Sequence, residues 1–152
     1  MHELLQTAKI LVSVNPYRPR QADLRKAVSS GYYALFHTLA SECANRFIGH
    51  KNRLLSEAWH QVYRSLEHNK AKEACRQVLK LGFPAEIIHF ADIFCKMQDA
   101  RHKADYDPFV RYSRADVLLM ITEVESTLKG FKSTPKSDRT AFSALVLLKK
   151  RG

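Results

Sequence analysis

The chain has 152 residues, enough for one domain whose core needs neither a metal ion nor a disulfide. Hydrophobic residues make up 45% and charged residues 26%, a balance that excludes a disordered or collagen-like chain. The formal net charge of +10 favours a polyanionic partner such as nucleic acid, although a solvated basic surface would explain the same excess.

Hydrophobic residues recur at helical spacing along most of the chain, and only five glycines and five prolines interrupt them. Pro16 and Pro19 end the first helix, and Gly49 and Gly82 follow later ones. Ser113 is a predicted N-cap. In chain order, the predicted helices cover approximately residues 2–12, 21–47, 52–67, 69–81 (with Asn69 as the cap), 85–107, 113–129 and 138–150.

This pattern predicts an all-α fold, an antiparallel bundle of five to six main helices followed by a short C-terminal helix. We divide the chain into a bundle over 1–131 and a segment over 132–152, in which the polar stretch 133–137 is a linker. The last helix has an apolar face that either closes the bundle or binds a second subunit, and we favour closure. That face consists of Phe142, Leu145, Val146 and Leu148.

Several classes of function lack their usual motifs. The chain has no glycine-rich phosphate loop, no metalloprotease motif and no nucleophile elbow, so we predict no cofactor and no metal site. Its three cysteines form no CxxC pair, and we expect small, buried or half-buried thiols in a reducing compartment. The start lacks the features of a signal peptide, and the longest apolar run is too short to cross a bilayer. We therefore expect a cytoplasmic protein that does not contact a membrane.

The end of the predicted fifth helix carries the most informative polar residues. Its apolar stripe continues to Arg101 at the lip of the core, and Asp105 follows one turn later. The pair could simply tie down the helix end. Alternatively, a rigidly held arginine offers a forked donor to phosphate, with His102 beside it as a proton carrier. On the second helix, Tyr33 and His37 lie one turn apart and form another polar patch.

Two of these segments together resemble the HEPN superfamily (higher eukaryotes and prokaryotes nucleotide-binding domains). One, similar to the Ser-x-x-Tyr-Tyr-Ala-x-Phe-His helix of a bacterial branch, is Ser29-Ser30-Gly31-Tyr32-Tyr33-Ala34-Leu35-Phe36-His37. The other, similar to the Arg-x-x-Ala-Asp-Tyr motif of that branch, is Arg101-His102-Lys103-Ala104-Asp105-Tyr106. The resemblance covers roughly residues 4–128.

The resemblance implies an all-α homodimer with a polar cleft. It also implies binding of RNA or a nucleotide, and in many members metal-independent ribonuclease activity, often as a toxin paired with a nucleotidyltransferase antitoxin. Carried over, the catalytic candidates are Arg101, His102 and His37. Arg101, Asp105, Tyr106 and Tyr33 would bind the phosphate.

The catalytic members use an Arg-x(4–6)-His motif, and this chain has Tyr106, Asp107 and Pro108 at the positions where that histidine would stand. This departure supports an alternative function, a non-catalytic interaction or dimerisation module that binds a partner protein. A basic DNA-binding protein is a third alternative, but the chain has no recognisable helix-turn-helix.

Overall fold

The computed structural model describes residues 2–49 and 53–151, and within these ranges the chain forms seven α-helices and no β-strand. The predicted all-α bundle is confirmed. A short 3₁₀ turn over Val78–Lys80 extends the fourth helix. In chain order, the helices are α1 (His2–Ser13), α2 (Gln21–Phe47), α3 (Arg53–Ser65), α4 (His68–Gln77), α5 (Ala85–Tyr106), α6 (Arg114–Lys132) and α7 (Lys136–Leu147).

Most helix ends lie where the local signals predicted them. The Ser113 hydroxyl caps α6 by accepting a hydrogen bond from the Asp116 N–H at 3.1 Å. Gly49 and Gly82 have φ angles of 76° and 73°, a left-handed conformation that ends a helix and strains any residue with a Cβ. The predicted start of the third helix, Asn52, lies outside the described residues.

Asn69 is not the cap of α4, because the helix already begins at His68 and Glu67 is its extended N-cap residue. The Asn69 side chain instead accepts a hydrogen bond at 3.4 Å from the Gln98 amide of α5. The Asn69 side chain, which the sequence pattern assigned to a helix cap, therefore joins α4 to α5 instead.

α2 is the central helix and packs against α1, α3, α5, α6 and α7. Its predicted stripe is fully buried and consists of Leu24, Val28, Tyr32, Leu35 and Leu39. Small residues on its other faces let neighbouring helices approach closely. A Cβ added to Gly31 would lie 3.2 Å from the Met97 methyl carbon of α5. Burial on several sides explains how a single helix can organise the bundle.

α5 runs antiparallel to α2, and Arg25 of α2 fixes the end of α5. One guanidinium nitrogen of Arg25 donates to the carbonyl oxygens of Ala104 and Asp107, each at 2.8 Å, and another donates to the Val110 carbonyl. The last carbonyls of a helix have no partner within it, and the cation also suits the negative end of the helix dipole. Arg25 therefore holds the Arg101–Tyr106 segment in place.

α7 closes the bundle, as we favoured from the sequence. Phe142 and Val146 are completely buried in the same core as the other helices, and Arg139 donates to Glu42 of α2 at 2.9 Å. The expected linker is shorter than predicted, because α6 continues to Lys132 and α7 already begins at Lys136. No described helix is both long and apolar enough to cross a bilayer.

Candidate functional site

Arg101 lies against the aromatic surface of α2. Its guanidinium carbon is 5.3 Å from the centre of the Tyr32 ring and 5.7 Å from that of Tyr33, and only 14% of the side chain is exposed. One terminal nitrogen donates to Asp105 at 3.2 Å. The Nε atom is buried, and no described residue accepts a hydrogen bond from it. The arginine is therefore rigidly held and still has donor capacity.

Asp105 holds Arg101 in this position. Its carboxylate accepts hydrogen bonds from Arg101 and, at 3.0 Å, from the Ser29 hydroxyl of α2. The ion pair that the sequence suggested is thus present, and it links α5 to the first predicted motif. Because a carboxylate repels phosphate, Asp105 is better suited to orienting the arginine than to contacting an anion itself.

His37 extends the aromatic surface along α2. Its ring stacks on Tyr33 with a centroid separation of 5.8 Å and on Tyr63 of α3 at the same separation, with nearly parallel planes in the latter pair. His37 Nδ1 is also hydrogen-bonded to the Tyr63 hydroxyl. Burial lowers the pKa of His37, so the neutral ring predominates at neutral pH.

His68, the first residue of α4, is the site residue that sequence reasoning missed. Its Nδ1 atom is 2.6 Å from the Tyr32 hydroxyl, its ring stacks on Phe36 at 4.0 Å, and the Tyr33 ring centre is 6.0 Å away. Burial, and then the charges of Arg101 and His37, lower its pKa. No local spacing links His68 to Arg101, because the packing of α4 on α5 brings them together.

We call Tyr33, His37, His68 and Arg101 the Tyr33 cluster. Tyr33 is at its centre, with the Arg101 guanidinium carbon, the His37 ring and the His68 ring each at most 6.0 Å from its ring centre. The cluster therefore combines one cation and two largely neutral imidazoles around one phenol ring.

The predicted residues His102 and Tyr106 lie at the exposed rim of the site. Their rings pack together at 4.9 Å, and 69% of Tyr106 is exposed. His102 has no described contact with His37 or with the guanidinium of Arg101. The structure thus brings Arg101, Tyr33 and His37 together, places Asp105 beside them, and leaves His102 and Tyr106 outside the cluster.

Two cavities flank the cluster. The larger, of about 830 Å³, is lined in part by Lys26, Ser29, Tyr33, His37, Asp105 and Tyr106. The smaller, of about 440 Å³, is lined in part by Asn69, Lys72, Arg101, His102 and Lys103. Arg101 belongs to the smaller cavity and contacts two residues that line the larger one. Lysines of both cavities give their walls a positive character.

The described residues contain no group of three or more His, Cys, Asp or Glu side chains placed to hold a metal ion. Comparison with protein-family models, with curated proteins and with solved structures found no match to this chain. The HEPN resemblance stays a prediction that depends on the two sequence motifs.

We expect NMR titration to give His68 a pKa below its ordinary value of 6.5, because burial and the nearby Arg101 charge disfavour the imidazolium. In Arg101→Gln, the pKa of His68 should rise partway towards that value, whereas the pKa of His37 should hardly move. As the pH falls, His68 is protonated in the unfolded chain before it is protonated in the folded chain. The free energy of unfolding should therefore decrease below pH 6.5, until the pH passes the pKa of His68 in the folded chain. A His68 pKa that is the same in both proteins would contradict the predicted proximity.

Proposed function

We propose that this chain binds RNA and cleaves it without a metal ion, using the Tyr33 cluster. The observation that carries the proposal is the convergence of Arg101, His37 and His68 on the Tyr33 ring, all at most 6.0 Å from its centre. An anchored cation and a neutral imidazole are the two groups that attack by a ribose 2′-hydroxyl on its own phosphate requires.

Arg101 would bind the phosphate. Its orientation is fixed by Asp105 and by the Tyr32 and Tyr33 rings, so little conformational entropy is lost when an anion binds. Arg101 also lines the smaller cavity, where the accessible part of its guanidinium can donate to a phosphate oxygen. Charge that develops on the phosphate in the transition state would strengthen these hydrogen bonds.

His68 would carry the proton, and it replaces the histidine that is absent from the positions after Arg101. No described residue hydrogen-bonds to its Nε2 atom, while Nδ1 is bound to the Tyr32 hydroxyl. With Nδ1–H donating to the tyrosine oxygen, Nε2 takes the proton of the 2′-hydroxyl as the 2′-oxygen attacks phosphorus. The bond from phosphorus to the 5′-oxygen breaks, and the imidazolium returns the proton to that oxygen. A 2′,3′-cyclic phosphate and a 5′-hydroxyl result.

We assign this role to His68 rather than to His37 or His102, because His68 and Arg101 both contact Tyr32, His68 at its hydroxyl and Arg101 across its ring. His37, stacked between Tyr33 and Tyr63, would support the wall of the larger cavity. Tyr106 at the rim would stack on a base of the bound strand.

A second candidate function is the non-catalytic interaction module. Tyr106 and Phe109, at and just after the end of α5, are 69% and 90% exposed, and such apolar surface beside a cleft suits a protein partner. A second copy of the chain, or a nucleotidyltransferase antitoxin, would be that partner. The last helix no longer supports this alternative, because Phe142 and Val146 are core residues whose removal would unfold the bundle.

The test is incubation of the purified protein with single-stranded RNA in the presence of EDTA. We expect products ending in a 2′,3′-cyclic phosphate, and we expect His68→Asn to abolish cleavage while it leaves RNA binding intact. His89→Asn is the matched control, because His89 is a half-exposed histidine of α5 that pairs with Glu123. Binding without cleavage by the unaltered chain would favour the interaction module, and neither binding nor cleavage would contradict the proposal.

A further inference from the structure

Two of the three cysteines, Cys75 of α4 and Cys95 of α5, meet where these helices pack together. Both side chains line one cavity, and Cys95 Sγ lies 3.6 Å from the carbonyl oxygen of Lys72, one turn before Cys75 on α4. Cys75 is buried and Cys95 is half-buried. No sequence spacing indicates this pair, since the two residues belong to different helices.

The two sulfurs are chemically unequal. Proximity to the Cys75 thiol lowers the pKa of Cys95, and the charges of Arg76 and Lys72 act in the same direction, against burial and Asp99. The nearby Cys95 thiol, together with burial, raises the pKa of Cys75. These directions and the greater exposure of Cys95 both favour Cys95 as the sulfur that ionises and reacts first.

A cavity of about 450 Å³ leads to the pair. Both cysteines line it, together with Arg76, Ile88 and His89. This volume admits a small oxidant, and the half-buried Cys95 is the more accessible sulfur. The third cysteine, Cys43, is completely buried, its thiol donates a long hydrogen bond of 4.0 Å to the Ser143 carbonyl, and burial raises its pKa to about 11.

We propose that Cys75 and Cys95 form a peroxide-reactive dithiol in which Cys95 is oxidised first and Cys75 resolves it. The Cys95 thiolate attacks one oxygen of hydrogen peroxide, the O–O bond breaks, and the departing hydroxide is protonated to water, which leaves a sulfenic acid. Cys75 then loses its proton and attacks the Cys95 sulfur. The S–S bond forms, the S–O bond breaks, and a second water leaves. Each disulfide consumes one peroxide, which is reduced as the two thiols are oxidised.

The test is titration of the reduced chain with hydrogen peroxide, followed by thiol counting and peptide mass mapping. We expect the free thiols to fall from three to one per chain, and the mapped disulfide to join Cys75 to Cys95. Cys95 should react at least about ten times faster than Cys43, because Cys95 is half-buried beside a cavity whereas Cys43 is completely buried. The disulfide is mapped in the unaltered chain, so this result does not depend on whether a substituted chain folds.

Single substitutions separate the two roles. In Cys75→Ser, the sulfenic acid should persist on Cys95 and be trapped by dimedone, whereas Cys95→Ser should form neither the sulfenic acid nor the disulfide. Cys43→Ala is the matched control and should behave like the unaltered chain. A disulfide between two chains, or Cys43 reacting as fast as Cys95, would overturn the proposal.

Discussion

Phe142→Ala should lower the free energy of unfolding by about 3–5 kcal/mol, which is a large part of the stability of a domain of this size. The Phe142 ring is completely buried, and its centre is 5.9–6.0 Å from the ring centres of Phe83, Phe90 and Phe131. Truncation removes these contacts and leaves a cavity, because the surrounding helices cannot collapse fully around the gap. Chemical denaturation followed by circular dichroism measures the loss.

Leu148→Ala is the control for this prediction. Leu148 directly follows α7 and is 57% exposed, so its truncation should change the free energy of unfolding by less than about 0.5 kcal/mol. Equal effects of the two substitutions would show that α7 is not part of the cooperative core. The result also bears on the domain boundary predicted after residue 131, since a bundle complete without α7 would tolerate Phe142→Ala.

Arg101→Ala should reduce the rate of RNA cleavage by roughly a hundred- to a thousandfold, the usual effect of removing a donor that stabilises a charged transition state. Arg101→Lys should recover little of the rate, because an ammonium ion lacks the planar fork that Asp105 and the two tyrosine rings hold in place. Single-turnover cleavage in EDTA, with protein in excess over RNA, measures the chemical step.

Lys96→Ala is the matched control, since it removes one positive charge from the same helix at a position where the side chain is 69% exposed and pairs with Asp92. It should leave the cleavage rate nearly unchanged. Arg101→Ala should also lose some stability, because the side chain is only 14% exposed and packs on Tyr32 and Tyr33, so cleavage is compared at a temperature at which circular dichroism shows both variants folded. If Lys96→Ala slowed cleavage as much as Arg101→Ala, the overall positive charge of the protein would explain the cleavage rate, and the Tyr33 cluster would not.

The peroxide chemistry of Cys75 and Cys95 and the RNA chemistry of the Tyr33 cluster can be tested separately, but they share two helices. α4 carries His68 and Cys75, and α5 carries Arg101 and Cys95. A disulfide between α4 and α5 would fix the same helix pair that brings His68 towards Arg101. The thiol measurements require no RNA and the cleavage assay requires no oxidant, so failure of one proposal leaves the other intact.

The candidate site was only partly predictable. The sequence indicated Arg101, Asp105, Tyr33 and His37, because the two motifs place them on predictable faces of two helices. Next to His68, the pattern predicts a helix cap at Asn69, but the Asn69 side chain contacts Gln98 of α5 instead. It also expected His102 to accompany Arg101, but adjacent residues point in different directions around a helix, and His102 faces the exposed rim.

The sequence by itself determined the helices, because hydrophobic periodicity and signals such as Ser113 and Gly82 act within a few residues of each other. Only the tertiary structure decided which side chains meet. His68 lies near Tyr33, and Cys75 lies near Cys95, because α4 packs on α5 in one register. That register depends on the shapes of several helices at once. Residues far apart in the chain have no spacing rule that could reveal such contacts.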